Sequence, residues 1–291
     1  MTLRHFKIFL AVCKEKNMTK AAEQLFITQP SITQAIKEIE EHYNTLLFER
    51  IGKRINITAD GYKLIPIAKN IIDLFENAET TMKDNNSIKK INIGASVTIG
   101  TYLFPKALGL MNKYPNIEIY SKIDNTKNIE KMILDFEVDF AIVEGNIHSK
   151  NIKTFPLIED ELIFVCSPDN ILSKKESLNI DEIAKSKFIL RESGSGTKEI
   201  IESFLHSNNI DIEIIGSVSS IEAIKNMVSE NIGVSILPKI SVINEIAKNQ
   251  IKHCKIKEMN LIRNFKLAYH KDKQDCKYRE IFAEIIKNIN K

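Results

Sequence analysis

The first forty residues alternate apolar and polar positions with a helical period. Leu3, Phe6, Leu10 and Cys13 recur three or four apart, and Ile32, Ala35, Ile36 and Ile39 repeat that spacing further on. Between them Ala21, Ala22 and Leu25 predict a short helix with Thr19 as its N-cap. Phe26-Ile27 breaks the pattern before Thr28 or Gln29 opens the next helix, so the pair reads as a helix-turn-helix. Pro30 fits a first turn, where its missing N–H costs nothing and its fixed φ is already helical. Beyond Leu47-Phe48, Ile51, Ile55 and Ile57 around Gly52 predict a two-stranded ribbon with Arg50, Lys53 and Arg54 at its tip.

Residues 59–84 predict one long helix carrying two adjacent seven-residue stripes. Leu64, Ile67, Ile71, Leu74 and Ala78 form one, and Ile65, Ala68, Ile72 and Phe75 the other. A coiled-coil seam needs only one stripe, so this helix is expected to pack on its own domain and on a partner helix, with a kink near Pro66. Residues 84–90 form a polar link.

From Ile91 onward short β-rich runs alternate with helical periods, which predicts α/β units. Strands are expected at 90–96, 117–123, 138–143, 161–167, 187–191, 211–217, 233–236 and 263–270. Helices are expected near 100–113, 126–136, 196–207, 220–229, 238–248 and 275–289. The resulting division is 1–58 for the helix-turn-helix and ribbon, 59–90 for the linker helix and hinge, and 91–291 for an α/β domain. Within the last, lobe I takes 91–162 and 267–291 and lobe II takes 163–266, with a cleft between them suited to a small ligand.

Composition adds limits. A chain of 291 residues with 43% hydrophobic content supports several cores, and a net charge of +3 argues for neither nucleic acid nor membrane. Residues 1–60 hold nine Lys or Arg against seven Asp or Glu, so any attraction to DNA must come from local placement. Cys13, Cys166, Cys254 and Cys276 form no C-x-x-C pair and read as buried thiols in a reducing cytosol. Leu10-Ala11-Val12-Cys13 resembles a lipoprotein cleavage box, but its apolar run of six residues is shorter than a signal h-region. No run approaches a membrane span, so a cytoplasmic protein without a membrane partner is expected.

Two constellations carry chemistry. Gln29, Ser31, Thr33, Gln34 and Lys37 lie in the first turns of the second helix of the helix-turn-helix, where bases are read, and Pro30 stiffens its entry. Glutamine bonds bidentately to adenine, and Ser and Thr serve bases or phosphates. In the α/β part, Gly94-Ala-Ser-Val-Thr-Ile-Gly100 and Arg191-Glu-Ser-Gly-Ser-Gly-Thr197 each follow a strand and open a helix. Backbone N–H groups converge there with hydroxyls, so Ser96, Thr98, Ser195, Gly196 and Thr197 are expected to bind a small anion. Asn125, Thr126 and Ser219 stand at similar junctions and join the candidates. Glu144 is either a ligand contact or a turn residue, and Glu159, Asp160 and Glu161 read as a solvated turn. Six scattered histidines, with no metalloprotease, Walker or hydrolase motif, give catalysis no support, and no cofactor or metal is expected.

The run from Thr2 to Gly61 resembles the N-terminal domain of LysR-type transcriptional regulators. The matching pieces are Leu3-Arg4 with Phe9-Leu10-Ala11-Val12, Thr19-Lys-Ala-Ala-Glu-Gln-Leu25, Thr28-Gln-Pro-Ser31, Ile36-Lys-Glu-Ile-Glu40, Leu47-Phe-Glu-Arg50 and Thr58-x-x-Gly61. The α/β remainder is similar to that family's two-lobed effector domain. The resemblance implies a winged helix-turn-helix, a linker helix, and a two-subdomain α/β domain like the type 2 periplasmic binding proteins. It also implies that Thr28, Gln29, Pro30, Ser31, Thr33, Gln34 and Lys37 enter the major groove of promoter DNA. Arg50, Lys53 and Arg54 would lie on the wing, and the cleft would hold a small anionic effector that modulates promoter binding and bending. Homodimers, and tetramers through the effector domains, are implied, with RNA polymerase as a further partner. "GASVTIG" with "RESGSGT" looks most like members governing sulfur assimilation or carbon fixation genes. Tyr43-Asn44 replaces the family's frequent Leu-Gly, and Asp60 its usual Ala; a left-handed Asn and an acidic first turn accommodate both. Two other readings compete: an envelope solute-binding protein, supported only by the cleavage-like box, and a thiol sensor, which needs Cys166 and Cys254 to meet.

Overall fold

The computed structural model describes residues 1–51, 54–82, 88–273 and 277–289; Gly52, Lys53, most of the polar link, Cys276 and the side chains of Arg50, Ile51, Arg54, Asn77, Thr80 and Thr81 lie outside the description. It forms two compact units, residues 1–89 with 134–137 and residues 90–133 with 138–291.

The first unit contains α1 (Leu3–Glu15), α2 (Met18–Gln24), α3 (Gln29–Tyr43), the hairpin of β1 (Phe48–Ile51) and β2 (Arg54–Ile57), and α4 (Ala59–Met82). Phe6, Phe9, Val12, Ala21, Ile32, Ile36, Ile39 and Leu47 make its core. The cap of α2 is Asn17 rather than Thr19: its extended backbone aims Oδ1 at the N–H groups of Thr19 and Lys20, at 2.9 and 3.1 Å. Thr28 caps α3, and Asn44 ends it in the left-handed region at φ 50°. The Glu40 carboxylate accepts from the N–H of Leu47 and Phe48, which anchors the hairpin to α3.

Along α4 the two expected stripes divide differently. Leu64, Ile65, Ala68, Ile71 and Ile72 pack on the core, while Ile67, Leu74 and Phe75 stay exposed. At 100° per residue, positions i, i+1, i+4, i+7 and i+8 share one face, so each sequence stripe contributes to both sides. Pro66 lies inside the helix, which continues through it from Ala59 to Met82.

The second unit is α/β. Its first half comprises β3 (Lys89–Ser96), α5 (Val97–Tyr102), α6 (Phe104–Met111), β4 (Ile117–Asp124), α7 (Thr126–Leu134) and β5 (Phe140–Val143). A long strand, β6 (Ile152–Cys166), leads to β7 (Ser177–Leu178), α8 (Ile180–Ala184), β8 (Lys187–Arg191), α9 (Gly196–Ser207) and β9 (Glu213–Val218). There follow α10 (Ile221–Ser229), β10 (Ser235–Pro238), α11 (Lys239–Ala247), β11 (Lys252–His253), β12 (Lys255–Ile256), β13 (Leu261–His270) and α12 (Lys277–Ile289). The main sheet runs β10-β6-β13-β5-β3-β4, with β11 also on β6. The expected helix at 100–113 is two helices, since Pro105 in the first turn of α6 starts a new one after Leu103. The expected strand at 161–167 begins earlier, at Ile152, because its first half pairs with β13.

Antiparallel β6 and β13 pass through two cores. Ile93, Phe104, Phe140, Phe282 and Phe265 belong to the first, with Leu157 and Ile158 against it. Leu162, Phe164, Phe188 and Ile201 lie on one face of the second half, and Ile163, Val165, Ile224 and Leu237 on the other. The strands therefore cross between lobes at about residues 159–161 and 262–264. No helix among the described residues is long and apolar enough to cross a membrane.

Gly61 explains the Thr58-x-x-Gly spacing. Its N–H donates to Thr58 Oγ1 (3.0 Å), Thr58 Oγ1 donates to the Leu46 carbonyl (2.6 Å), and a Cβ at Gly61 would lie 2.4 Å from the Leu47 carbonyl oxygen. Gly61→Ala should therefore destabilise the protein by about 1–3 kcal/mol in a urea melt; an unchanged midpoint would refute the close approach.

Candidate functional site

On α3, Gln29, Pro30, Thr33, Gln34 and Lys37 are exposed on the side opposite Ile32, Ala35, Ile36 and Ile39. Ser31 is half-buried, its hydroxyl 2.8 Å from Thr28 Oγ1. Gln29 Nε2 donates to Thr33 Oγ1 and Gln34 Nε2 to Glu38 Oε1, each at 2.8 Å, so both amides are held by the next turn. Lys37 pairs loosely with Glu41 at 3.5 Å. The backbones of Arg50 and Arg54 lie in the hairpin, paired with Ile55 and Ile51; their side chains, and Lys53 altogether, are outside the described residues. Phe26, in the turn before α3, is 96% exposed at φ 55°, an uncommon conformation for a bulky residue.

In the second unit, Ser96, Thr98, Thr126, Ser195, Gly196 and Thr197 all converge, buried, where the two lobes touch. The lobes meet backbone to backbone: a Cβ on Gly196 would lie 2.3 Å from the Gly145 Cα and 3.0 Å from Thr126 Oγ1. The Lys127 N–H donates to the Gly194 carbonyl at 3.2 Å, with Gly194 at φ 88°. Asn125 spends its Oδ1 on the Asn128 N–H, capping α7. Ser219 stands exposed between β9 and α10 outside this group, and Ser220 caps α10.

Three charged residues organise the site. The Glu144 carboxylate accepts from the Ser96 hydroxyl, from the Thr98 hydroxyl (2.9 Å) and from the Thr98 N–H (3.4 Å). Arg263 donates through Nε to Asp160 (2.8 Å), through Nη1 to Thr197 Oγ1 (2.8 Å) and through Nη2 to Thr98 Oγ1 (3.5 Å). One guanidinium thus bonds both threonines, one from each mouth. Asp160 and Arg263 are cross-strand neighbours on β6 and β13, and both are buried. Burial raises the Asp160 carboxyl above its usual range, against the pull of Arg263.

The expectation that residues 159–161 form a solvated turn is therefore wrong for Asp160, which lies within β6. Arg263 carries no expectation from the sequence. A signal existed: on β13 the inward positions are Leu261, Arg263, Phe265, Leu267 and Tyr269, and an arginine among them needs a buried partner.

A further contact spans the lobes. The Tyr102 hydroxyl of α5 donates to Glu222 Oε1 of α10 at 3.0 Å, and Lys225 pairs with Glu222 (2.7 Å) and Glu245 (2.8 Å). Burial opposes the Lys225 charge, but these pairs prevail and hold the ammonium above its usual range.

Cys166 and Cys254 do meet, Sγ to Sγ at 3.5 Å, but both are shut inside the second lobe's core. Their mutual bond, with burial, pushes the Cys166 thiol up, while the same bond lowers Cys254; both side chains stay closed to solvent.

Sequence families match both units. Residues 3–62 match the bacterial regulatory helix-turn-helix protein of the lysR family, and residues 85–288 match the LysR substrate binding domain. The chain belongs to the LysR family. It is 31% identical over 297 residues to a probable RuBisCO transcriptional regulator of Phaeodactylum tricornutum, across 99% of this chain and 97% of that one. The CcmR regulatory domain of Synechocystis, solved in complex with 2-PG, matches 69% of this chain and 97% of its own at a TM-score of 0.64 and 25% identity. A full-length OxyR variant from Pseudomonas aeruginosa shares the fold over 99% of this chain and 95% of its own, with a TM-score of 0.77 and 22% identity. This LysR-family protein is a DNA-binding transcription regulator with an effector-binding domain, and not an enzyme. The family match to both units also excludes the solute-binding reading.

Removing one member of the Asp160–Arg263 pair strands a buried charge. Arg263→Ala should cost about 3–5 kcal/mol in urea denaturation, with the Asp160→Ala, Arg263→Ala double variant costing less than the sum. Additive losses would show that the pair is not coupled.

Proposed function

We propose that this regulator reads promoter DNA through α3 and responds to a small anion held between the lobes of its effector domain. The observation that supports the anion is a set of buried hydrogen-bonding atoms without a partner among the described residues: Thr126 Oγ1, Ser195 Oγ and Arg191 Nη1. Leaving such groups unpaired costs about 1–3 kcal/mol each, and a ligand rich in acceptors would relieve it. Ser195 and Thr126 flank the start of α9, a helix of 12 residues whose N-terminus favours negative charge.

Glu144 refines the reading. Its carboxylate already takes the hydroxyls of Ser96 and Thr98, so the effector's anionic group belongs at the Thr126, Ser195 and Thr197 side. Ser96 and Thr98 would reach the effector only if Glu144 gives way. Asn125 and Ser219 are secondary contacts at most in this arrangement. The two lobes, joined by β6 and β13 near residues 159–161 and 262–264, would shift on binding, and the switch requires different effector affinity in the two arrangements.

On the DNA side, Gln29, Thr33 and Gln34 read bases, Thr28, Ser31 and Lys37 hold phosphates or base edges, and Arg50, Lys53 and Arg54 of the wing supply charge. The exposed Ile67, Leu74 and Phe75 give α4 an apolar face for a second copy. The resulting homodimer presents two recognition helices to half-sites about one helical turn or a multiple apart, and effector domains can pair dimers into tetramers. Promoter DNA and this assembly set a cytoplasmic location, with RNA polymerase the further partner on the promoter.

Two measurements test the reading. Sulfate binding to the full chain, followed calorimetrically, should weaken roughly tenfold in Ser195→Ala and tighten roughly tenfold in Glu144→Gln, which removes a like charge. Unchanged affinity in both variants would remove the anion from this site. In mobility shifts, Gln29→Ala should lose about 1–3 kcal/mol at particular base pairs; uniform weakening across sequences would assign Gln29 to phosphates instead.

A further inference from the structure

The recognition face contains a carboxylate that looks out of place. Glu38 lies one turn beyond Gln34 on α3, exposed, at the edge of a groove that Arg4, His5, Ser31 and Gln34 also line. A negative charge beside a DNA-reading residue repels phosphate, so its presence calls for a separate reason.

Its hydrogen bonds supply one. Glu38 Oε1 accepts from Gln34 Nε2 at 2.8 Å, and Glu38 Oε2 lies 2.8 Å from His5 Nε2. The His5 tautomer is fixed from its other side: Nδ1 accepts from the Thr2 N–H at 3.1 Å, so Nε2 carries the proton and donates to Glu38. Thr2 is the N-cap of α1, which ties this brace to a helix terminus rather than to a free side chain. The bonds from His5 and Gln34 also hold the Glu38 carboxyl below its usual range, so it stays ionised.

An ionised carboxylate accepts hydrogen bonds and donates none. The Gln34 amide must therefore turn its NH₂ toward Glu38 and its Oε1 away, and the usual freedom to flip is removed. One Nε2 hydrogen is spent on Glu38. The other hydrogen and Oε1 remain to offer a base one donor and one acceptor. Adenine offers the complement in the major groove, an N7 acceptor beside an N6–H donor, whereas guanine offers two acceptors, N7 and O6.

We propose that Glu38, braced by His5, is a positioning residue that locks Gln34 to read adenine and reject guanine at one base pair of each half-site. This rests on Gln34 being a base reader, as in the proposed function. Gln29 is held by a neutral acceptor instead: its Nε2 donates to Thr33 Oγ1, whose own hydrogen goes to the Gln29 carbonyl at 3.3 Å.

Selection of randomised duplexes by the full chain, with quantitative binding to single-base variants of the selected site, tests this. The wild-type chain should favour adenine over guanine roughly tenfold or more at one position per half-site. Glu38→Gln preserves size and helicity but can donate as well as accept, so the amide is free to flip. The preference at that position should fall to near parity, through a gain for guanine, while other positions keep theirs. Gln34→Ala should relax the same position, and the double variant should match Gln34→Ala alone. Glu38→Gln with wild-type preference, or additive effects in the double variant, overturns the proposal. Gln34→Ala with unchanged preferences instead shows that Gln34 reads no base, and removes the inference together with its premise.

Discussion

A buried ion pair at the crossing of two strands organises the effector domain. Asp160 and Arg263 sit opposite each other where β6 and β13 leave one core and enter the other. Taking both charges out of water is costly, and the cost is offset only if every donor of the guanidinium finds an acceptor. Asp160 takes the near edge, and the rest reaches Thr197 in one lobe and Thr98 in the other. The pair thus depends on closure of the lobes, and closure depends on the pair. Gly145 and Gly196 permit this, because the backbones approach too closely for a side chain on either.

The same arrangement connects to the ligand chemistry. Thr98 donates to Glu144 while accepting from Arg263, so the carboxylate, the hydroxyl and the guanidinium form one chain of bonds across the interface. The Glu144 carboxylate already takes the donors of the turn before α5. An effector bound as proposed would meet a half-satisfied site, which favours a modest rearrangement over the filling of an open cavity.

Much of this was legible in the sequence. The helical period fixed α1 and α3, Pro30 and Thr28 marked the start of α3, and the hydroxyl-rich turns before α5 and α9 pointed to the converging mouths. What escaped had physical reasons. The cap of α2 fell on Asn17 because a cap is chosen by backbone conformation, which the apolar pattern does not encode. The two stripes of α4 mixed faces because adjacent heptad stripes lie within one helical turn of each other. Asp160 was hidden between Glu159 and Glu161, since a cluster of carboxylates looks solvated until one of them is seen opposite an inward arginine on a distant strand. The inward arginine signals that a buried partner exists, but across more than a hundred residues no local pattern says which carboxylate it is.

Arg263 bonds both lobes through its planar fork, and an interlobe distance measures that link most directly. Spin labels at the exposed positions Lys106 and Ser203, with Cys13 and Cys276 replaced by Ser, report the separation of α6 and α9 in the full chain. Arg263→Lys keeps the charge beside Asp160 but lacks the fork that reaches Thr98 and Thr197 together. A single narrow distance in the labelled parent that broadens and lengthens in Arg263→Lys, with the fold retained, is the predicted result. An identical distribution in both would contradict the account.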